Sequence, residues 1–182
     1  AGWGGRGRRG ERGREAGNRG AGRVVMRWAE CREEEPELAN DAFASFEDGT
    51  HKTIATLRPD GAPRISGIEA RFVDGDLWFG SMSDSPKSRD LKSDPRFALH
   101  SASHEPDAWA GDAKISGRAV QVHDQAAKDR LVAVAGTAPP GDFDLFRADI
   151  DEVIVIRLGP SSDHLIIGTW RAGSGLRVSR HY

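Results

Sequence analysis

His51–Ser103 reads HKTIATLRPDGAPRISGIEARFVDGDLWFGSMSDSPKSRDLKSDPRFALHSAS. Three strand-like runs, Lys52–Leu57, Arg64–Phe72 and Leu77–Ser81, are separated by two turns. The first turn, Arg58–Pro63, combines prolines that pre-set φ with Gly61, which tolerates positive φ; the second is Val73–Asp76. A fourth run, Arg96–Ser103 with its strand core at Phe97–Ser101, follows a Ser-Pro-Lys helix start. Short strands at this spacing predict an antiparallel sheet or barrel, the first three strands forming a meander. In the second run Ile65, Gly67, Glu69 and Arg71 share one face, and Arg64, Ser66, Ile68, Ala70 and Phe72 the other. That second face mixes a cation and a hydroxyl with apolar groups, as a site lining would.

The helix start at Ser83–Leu91 carries the complementary signal. Ser85 suits the N-cap and Pro86 the first helical position. The unpaired N–H groups there, with Lys87 beside them, make a natural anion site. Arg64 and Lys87 are therefore placed where they could converge on one phosphate.

Outward from this stretch, Leu38, Ala42, Phe43 and Phe46 are spaced by three or four, predicting an amphipathic helix over Pro36–Glu47 that closes one end of the sheet. Asp112–Val122 reads as a fifth strand with Gly117 at a bulge or close approach, after a loop at His104–Gly111. Asp124–Ala135 reads as a helix capped by Asp124, with Ala127, Leu131 and Val134 inward. Gly136–Asp149 is expected to be loop with a helical turn at Phe143–Phe146, followed by strands at Glu152–Leu158 and His164–Trp170 and a tail at Arg171–Tyr182.

Composition narrows the class. The 182 residues suit one domain, assigned to residues 36–182, and the net charge of −2 indicates neither nucleic acid nor a membrane as partner. Residues 1–25 are low-complexity Gly and Arg, with seven Arg against two Glu, and are expected to form a disordered tail. Two plain readings of that tail are a solvated extension and a segment upstream of a native start at Met26; the functional alternative is an arm tracking RNA phosphates. The single cysteine, Cys31, excludes an internal disulfide and fits a reducing cytoplasm, and no apolar run approaches a membrane span. The six histidines show no metal-like spacing. No nucleophile–base pattern stands out, so no catalytic residue is assigned.

From about Glu37 to Arg180 the chain resembles the FMN-binding split-barrel proteins, the superfamily of pyridoxamine 5′-phosphate oxidase, which includes deazaflavin-dependent reductases. The marks run in order: Asp60-Gly-Ala-Pro63 before Arg64, Asp74–Phe79, Ser85-Pro-Lys87 with Asp90-Leu91, Asp94-Pro-Arg96, Gly117-Arg-Ala119, then Trp170 and Arg180. The resemblance implies a mainly β split barrel with flanking helices, antiparallel and Greek-key-like. It implies FMN as cofactor, with deazaflavin F420 as the alternative, and a homodimer with cofactor at the subunit interface. Arg64 and Lys87 would hold the flavin phosphate. Ser66, Gly67 and Ile68 would pass the ring, Gly80 and Ser81 would lie near the ring and ribityl chain, and Trp170 and Arg180 would reach in from the partner. The family's C-terminal substrate grip, Arg-Leu-His, is Leu176-Arg177-Val178 here, and Glu69 stands where the family has a lysine; a flavin-contacting Gln is replaced by Asp112. The expected activity is therefore oxidoreduction of a small molecule other than pyridoxamine phosphate. A flavin- or haem-binding module without turnover is the alternative of another class.

Overall fold

The computed structural model describes residues 24–105, 107, 109, 111–136 and 141–182. The expectations for residues 1–23 and for part of the 104–111 loop lie outside the described residues. Among the described residues four helices and nine strands follow one another: α1 Trp28–Glu34, α2 Pro36–Glu47, β1 Lys52–Leu57, β2 Pro63–Ile68, β3 Ala70–Val73, β4 Asp76–Met82, α3 Pro86–Ser93, β5 Arg96–His100, β6 Gly111–Val122, α4 Gln125–Ala135, β7 Phe143–Leu158, β8 Leu165–Arg171 and β9 Gly175–His181. All strand pairs are antiparallel.

The topology explains how a barrel closes. Strands run in the order β2-β1-β5-β6-β7-β4-β3, so β2 and β3 end the path on opposite sides. Yet only Glu69 separates them in the chain. The sheet must curl until its two ends meet. The expected single strand Arg64–Phe72 is thus two, and the expected meander is two hairpins, β1–β2 and β3–β4, at opposite ends of the path. Because the break falls at one residue, inward parity is carried across it: Ile68 and Ala70 are both buried.

β7 is the second organiser. It pairs along its length with β6, through its first half with β4 and through its second half with β8. The loop and helical turn expected at Gly136–Asp149 are overturned over Phe143–Asp149, which is strand. Polar Asp144, Arg147, Asp149 and Asp151 obscure its pattern, and the buried parity changes from Phe146, Ala148 and Ile150 to Val153 and Val155. The cause is a bulge. Ser116 faces Glu152 whereas Gly117 faces Ile150, leaving Asp151 as the extra residue. A Cβ at Gly117 would overlap the Asp149 carbonyl, so the close approach expected there is real. The tail expected at Arg171–Tyr182 is also corrected: Gly175–His181 forms β9 against β8.

The barrel core stacks Phe79 on Phe146, edge-on to Phe97, among Ile54, Leu77, Leu99 and Ile115. Helix α2 closes one end with Leu38, Ala39, Ala42 and Phe46. Phe43, expected on that face, is instead 40% exposed and lies against Phe72. Helix α1, which carries Trp28 and Cys31 into the core, was not expected from sequence. On α4 only Ala127 is buried; Val134 is 56% exposed, so the expected inward face is narrower than its spacing implied. No helix among the described residues is long and apolar enough to cross a membrane.

Candidate functional site

The inward face of β2 develops as its alternation implies. Arg64 and Ser66 are half-buried, Ile68 is buried, and Ile65 on the opposite face is 75% exposed. Beside this strand lies α3, whose N-cap Ser85 accepts a hydrogen bond from the Ser88 N–H at 3.3 Å, with Pro86 opening the helix. Ser85 Oγ also meets Ser81 Oγ of β4 at 2.7 Å. The helix start is thereby tied to the barrel wall next to Gly80.

Two contacts define the seam between β2 and α3. Arg64 Nε donates to Asp90 Oδ2 at 2.7 Å, and Lys87 Nζ donates to the Gly67 carbonyl at 2.6 Å. Residues 64 and 67 of the strand are thus joined to residues 90 and 87 of the helix. The structure brings Arg64 and Lys87 to one seam, Lys87 in the first turn of the helix and Arg64 against its middle. Partners are seen for Arg64 only at Nε; its terminal nitrogens have none among the described residues. Burial lowers the Lys87 ammonium below its usual pKa. For Asp90, burial pushes the carboxyl up, but the hydrogen bonds from Arg64 and Thr56 together outweigh it and hold the group below the usual carboxylate value.

Gly67 is informative for what it lacks. A Cβ built there meets nothing within 4 Å, and the backbone does not need glycine's positive φ. Glycine inside a strand costs stability, and it recurs where a ligand or another backbone comes close. An unforced glycine flanked by Arg64 and Lys87 fits a ligand lying against β2.

A second anchor holds α3 from its other side. Asp144 of β7 accepts from Ser88 Oγ, from Lys92 Nζ at 2.7 Å and from Gln121 Nε2 at 3.1 Å. Thr56, Ser88 and Asp144 were not singled out from the sequence, and Asp90 was marked only as part of the resemblance, without a role. Thr56 could have been: it shares inward parity with Ile54, so a hydroxyl was being sent into the core. Asp144 offered no such signal, because its strand was not recognised.

Six of the nine expected site residues, Arg64, Ser66, Gly67, Ile68, Ser81 and Lys87, gather at β2, β4 and the α3 start, with Gly80 adjoining Ser81. Trp170 and Arg180, expected to reach the flavin of a partner subunit, lie away from this seam in their own chain. Trp170 is fully buried in this chain and its indole N–H donates to Glu34 at 3.0 Å. Arg180 lies on β9, an edge strand, opposite Ile166. A cleft of about 400 Å³ lies elsewhere, between α2 and the β6 and β7 ends, lined by residues including Asp41, Ser45, Asp48, His104 and Arg157. It shares no lining residue with the seam. Two cations on one β2–α3 seam, rather than cavity size, locate the candidate site. No group of three His, Cys, Asp or Glu among the described residues could hold a metal ion.

A curled antiparallel sheet with a two-strand extension and an anion-suited helix start defines a split-barrel protein. The model of the pyridoxamine 5′-phosphate oxidase family matches residues 40–157, and the chain belongs to that family. The fold is shared with PhzG from Burkholderia lata, solved with tetrahydrophenazine-1-carboxylic acid, at 17% identity and a TM-score of 0.59, over 86% of this chain and 96% of that one. It is also shared with a pyridoxamine 5′-phosphate oxidase-related, FMN-binding protein from Nostoc punctiforme, at 14% identity and a TM-score of 0.58, over 81% and 96%. An F420 reductase aligns at 21% identity and a TM-score of 0.50, over 60% and 93%. No curated protein matches the chain.

Proposed function

We propose that this protein is an FMN-dependent oxidoreductase acting on a small molecule, and that it works as a homodimer. The observation that carries the reading is that Arg64 and Lys87 both bridge β2 and α3, the lysine from the first turn of the helix and the arginine through Asp90 one turn further on. A phosphate monoester is well held by an arginine fork, a lysine point charge and the unpaired N–H groups of a helix start. Ser81 and Ser85 supply hydroxyls at the same place, and Ser66 adds one from the β2 inner face. Gly67 leaves room for a flat ring beside the strand, with Ile68 and Gly80 nearby. Bound FMN would supply the hydride chemistry from its own ring. The chain's residues hold and orient it.

The deazaflavin alternative needs a further basic track for a polyglutamate tail. Arg89 and Lys92 are the residues past Lys87 that could begin one. Arg89 instead donates to the Asp84 carbonyl, and Lys92 is paired with Asp144. That favours FMN. Pyridoxamine phosphate itself is disfavoured as substrate, since Leu176, Arg177 and Val178 replace the family's grip and Glu69 would repel a phosphate.

The dimer is supported by the outer face of the sheet. Ile65, Ala55, Ala98 and Ser116 are aligned in one cross-strand row of small or apolar side chains. Of the two C-terminal residues expected to reach a partner's flavin, Arg180 has an exposed side chain, whereas Trp170 is committed to this chain's core.

The test is to titrate the purified protein with FMN and F420, then supply a reduced nicotinamide nucleotide and follow flavin bleaching. Tight FMN binding with reduction and reoxidation by an acceptor is expected. Binding without reduction by any donor would make the protein a non-catalytic flavin module; preference for F420 would move it to the deazaflavin reductases.

A further inference from the structure

Asp90 lies behind the proposed phosphate grip, only 2% exposed. One of its oxygens, Oδ2, accepts both from Thr56 Oγ1 at 2.8 Å and from Arg64 Nε at 2.7 Å. The two donors come from paired strands and stand directly opposite each other, Thr56 facing Arg64 across β1 and β2. The carboxylate is therefore fixed from the helix by its backbone and from the sheet by a hydroxyl. Its hold on the guanidinium is through Nε alone. An arginine has five N–H donors in a rigid plane, so a carboxylate on Nε fixes the plane while the terminal nitrogens stay available.

We propose that Asp90 is a positioning residue that sets the Arg64 fork for a terminal phosphate, with Thr56 fixing Asp90 in turn. This rests on the FMN reading of the same site. Two effects of Asp90 oppose each other, and their signs differ. As a negative charge near the anion, it weakens phosphate binding by repulsion; as an anchor, it strengthens binding by holding the fork in one orientation before the ligand arrives. A carboxylate retained in contact with a phosphate-binding arginine makes sense when the second effect is larger. The shared oxygen adds a chemical detail: one acceptor atom serves both donors, so an amide oxygen can replace it.

The experiment compares FMN with riboflavin, which lacks the phosphate, on the full-length wild type and on Asp90→Ala, Asp90→Asn and Thr56→Val. In the wild type FMN should bind roughly 100-fold more tightly than riboflavin, as two charge-assisted hydrogen bonds imply. Asp90→Ala should lower FMN affinity about tenfold, the worth of one such bond, and leave riboflavin affinity unchanged. Asp90→Asn should restore most of the loss. If Asp90→Ala does not fold, Thr56→Val provides the same reading, with a smaller loss in the same direction. Tighter FMN binding in both Asp90 variants would show that repulsion dominates and overturn the proposal. Equal losses for FMN and riboflavin would also overturn it, because general loosening of the fold would explain them. A wild type that binds the two flavins equally would remove the cofactor reading itself, a failure separable from either.

Discussion

At the scale of single residues, Arg64, Lys87 and Gly67 make opposite demands on the protein. Replacing Arg64 and Lys87 together with alanine should cost about 3 kcal/mol of FMN binding, two hydrogen bonds to charged groups at the low end of their range, with little effect on riboflavin. Equilibrium titration of both flavins checks this. Gly67→Val should do something that no contact-based stability argument expects. With space around its Cβ and ordinary φ, the variant should gain about 0.5–1 kcal/mol of folding stability while losing FMN affinity. Thermal melts of the ligand-free protein set beside titrations separate the two effects. Arg64 and Lys87 were legible in sequence because a strand start after a Pro-Gly turn and a Ser-Pro-Lys helix start announce themselves locally. The bond between Thr56 and Asp90 was not, because it spans 34 residues and becomes visible only when β1 and α3 are neighbours. The resemblance implied that Trp170 reaches a partner's flavin; in this chain its side chain is buried and bonded to Glu34.

At the scale of elements, α3 is a short helix held by two carboxylates, the buried Asp90 toward β1 and β2, and the half-buried Asp144 toward β7. Asp144→Ala would leave Ser88, Lys92 and Gln121 without their common acceptor, and should destabilise the fold by about 1–3 kcal/mol. Chemical denaturation measures it. Hydrogen exchange should then show α3 opening before the barrel strands do. Gly117→Ala should cost a similar amount, about 1–3 kcal/mol, because its Cβ would press on the Asp149 carbonyl at the β6–β7 bulge. Turns and caps were read well from the sequence, since Asp124 caps α4 and Gly136 ends it with positive φ. Phe143–Asp149 escaped because a bulge reverses the inward parity midway through β7. A two-residue period cannot survive that reversal. β9 escaped for another reason: it is an edge strand whose residues are mostly exposed, leaving no alternation to detect.

At the scale of the whole molecule, barrel closure follows from one connection, the single residue between β2 and β3, and the account extends from there to pH. The Asp90 and Asp144 carboxyls are raised by burial but lowered further by their donors, so both titrate below the usual 3.8. Their contribution to stability is fully present above that value and is lost as pH falls through their folded pKa values. Acid unfolding should therefore set in below about pH 4, and denaturation midpoints measured across pH will test it. Cofactor binding should respond in a different range. FMN affinity should fall below about pH 6 as the phosphate takes up its second proton, whereas riboflavin affinity stays level. At the alkaline end FMN affinity should decline again as Lys87, lowered by burial, loses its proton below the usual 10.5. The proposed homodimer would use the row of small and apolar side chains from Ile65 to Ser116 on the outer sheet face. Sedimentation should give twice the chain mass, and Ile65→Asp should halve it.

The measurement that bears most directly on the central claim is a side-by-side calorimetric titration of the wild-type protein with FMN and riboflavin. If the β2–α3 seam holds a flavin phosphate, FMN binds roughly 100-fold more tightly, the energy of two charge-assisted hydrogen bonds. Equal affinity for the two flavins, or binding of neither, would contradict the assignment of Arg64 and Lys87 while leaving the split-barrel fold intact.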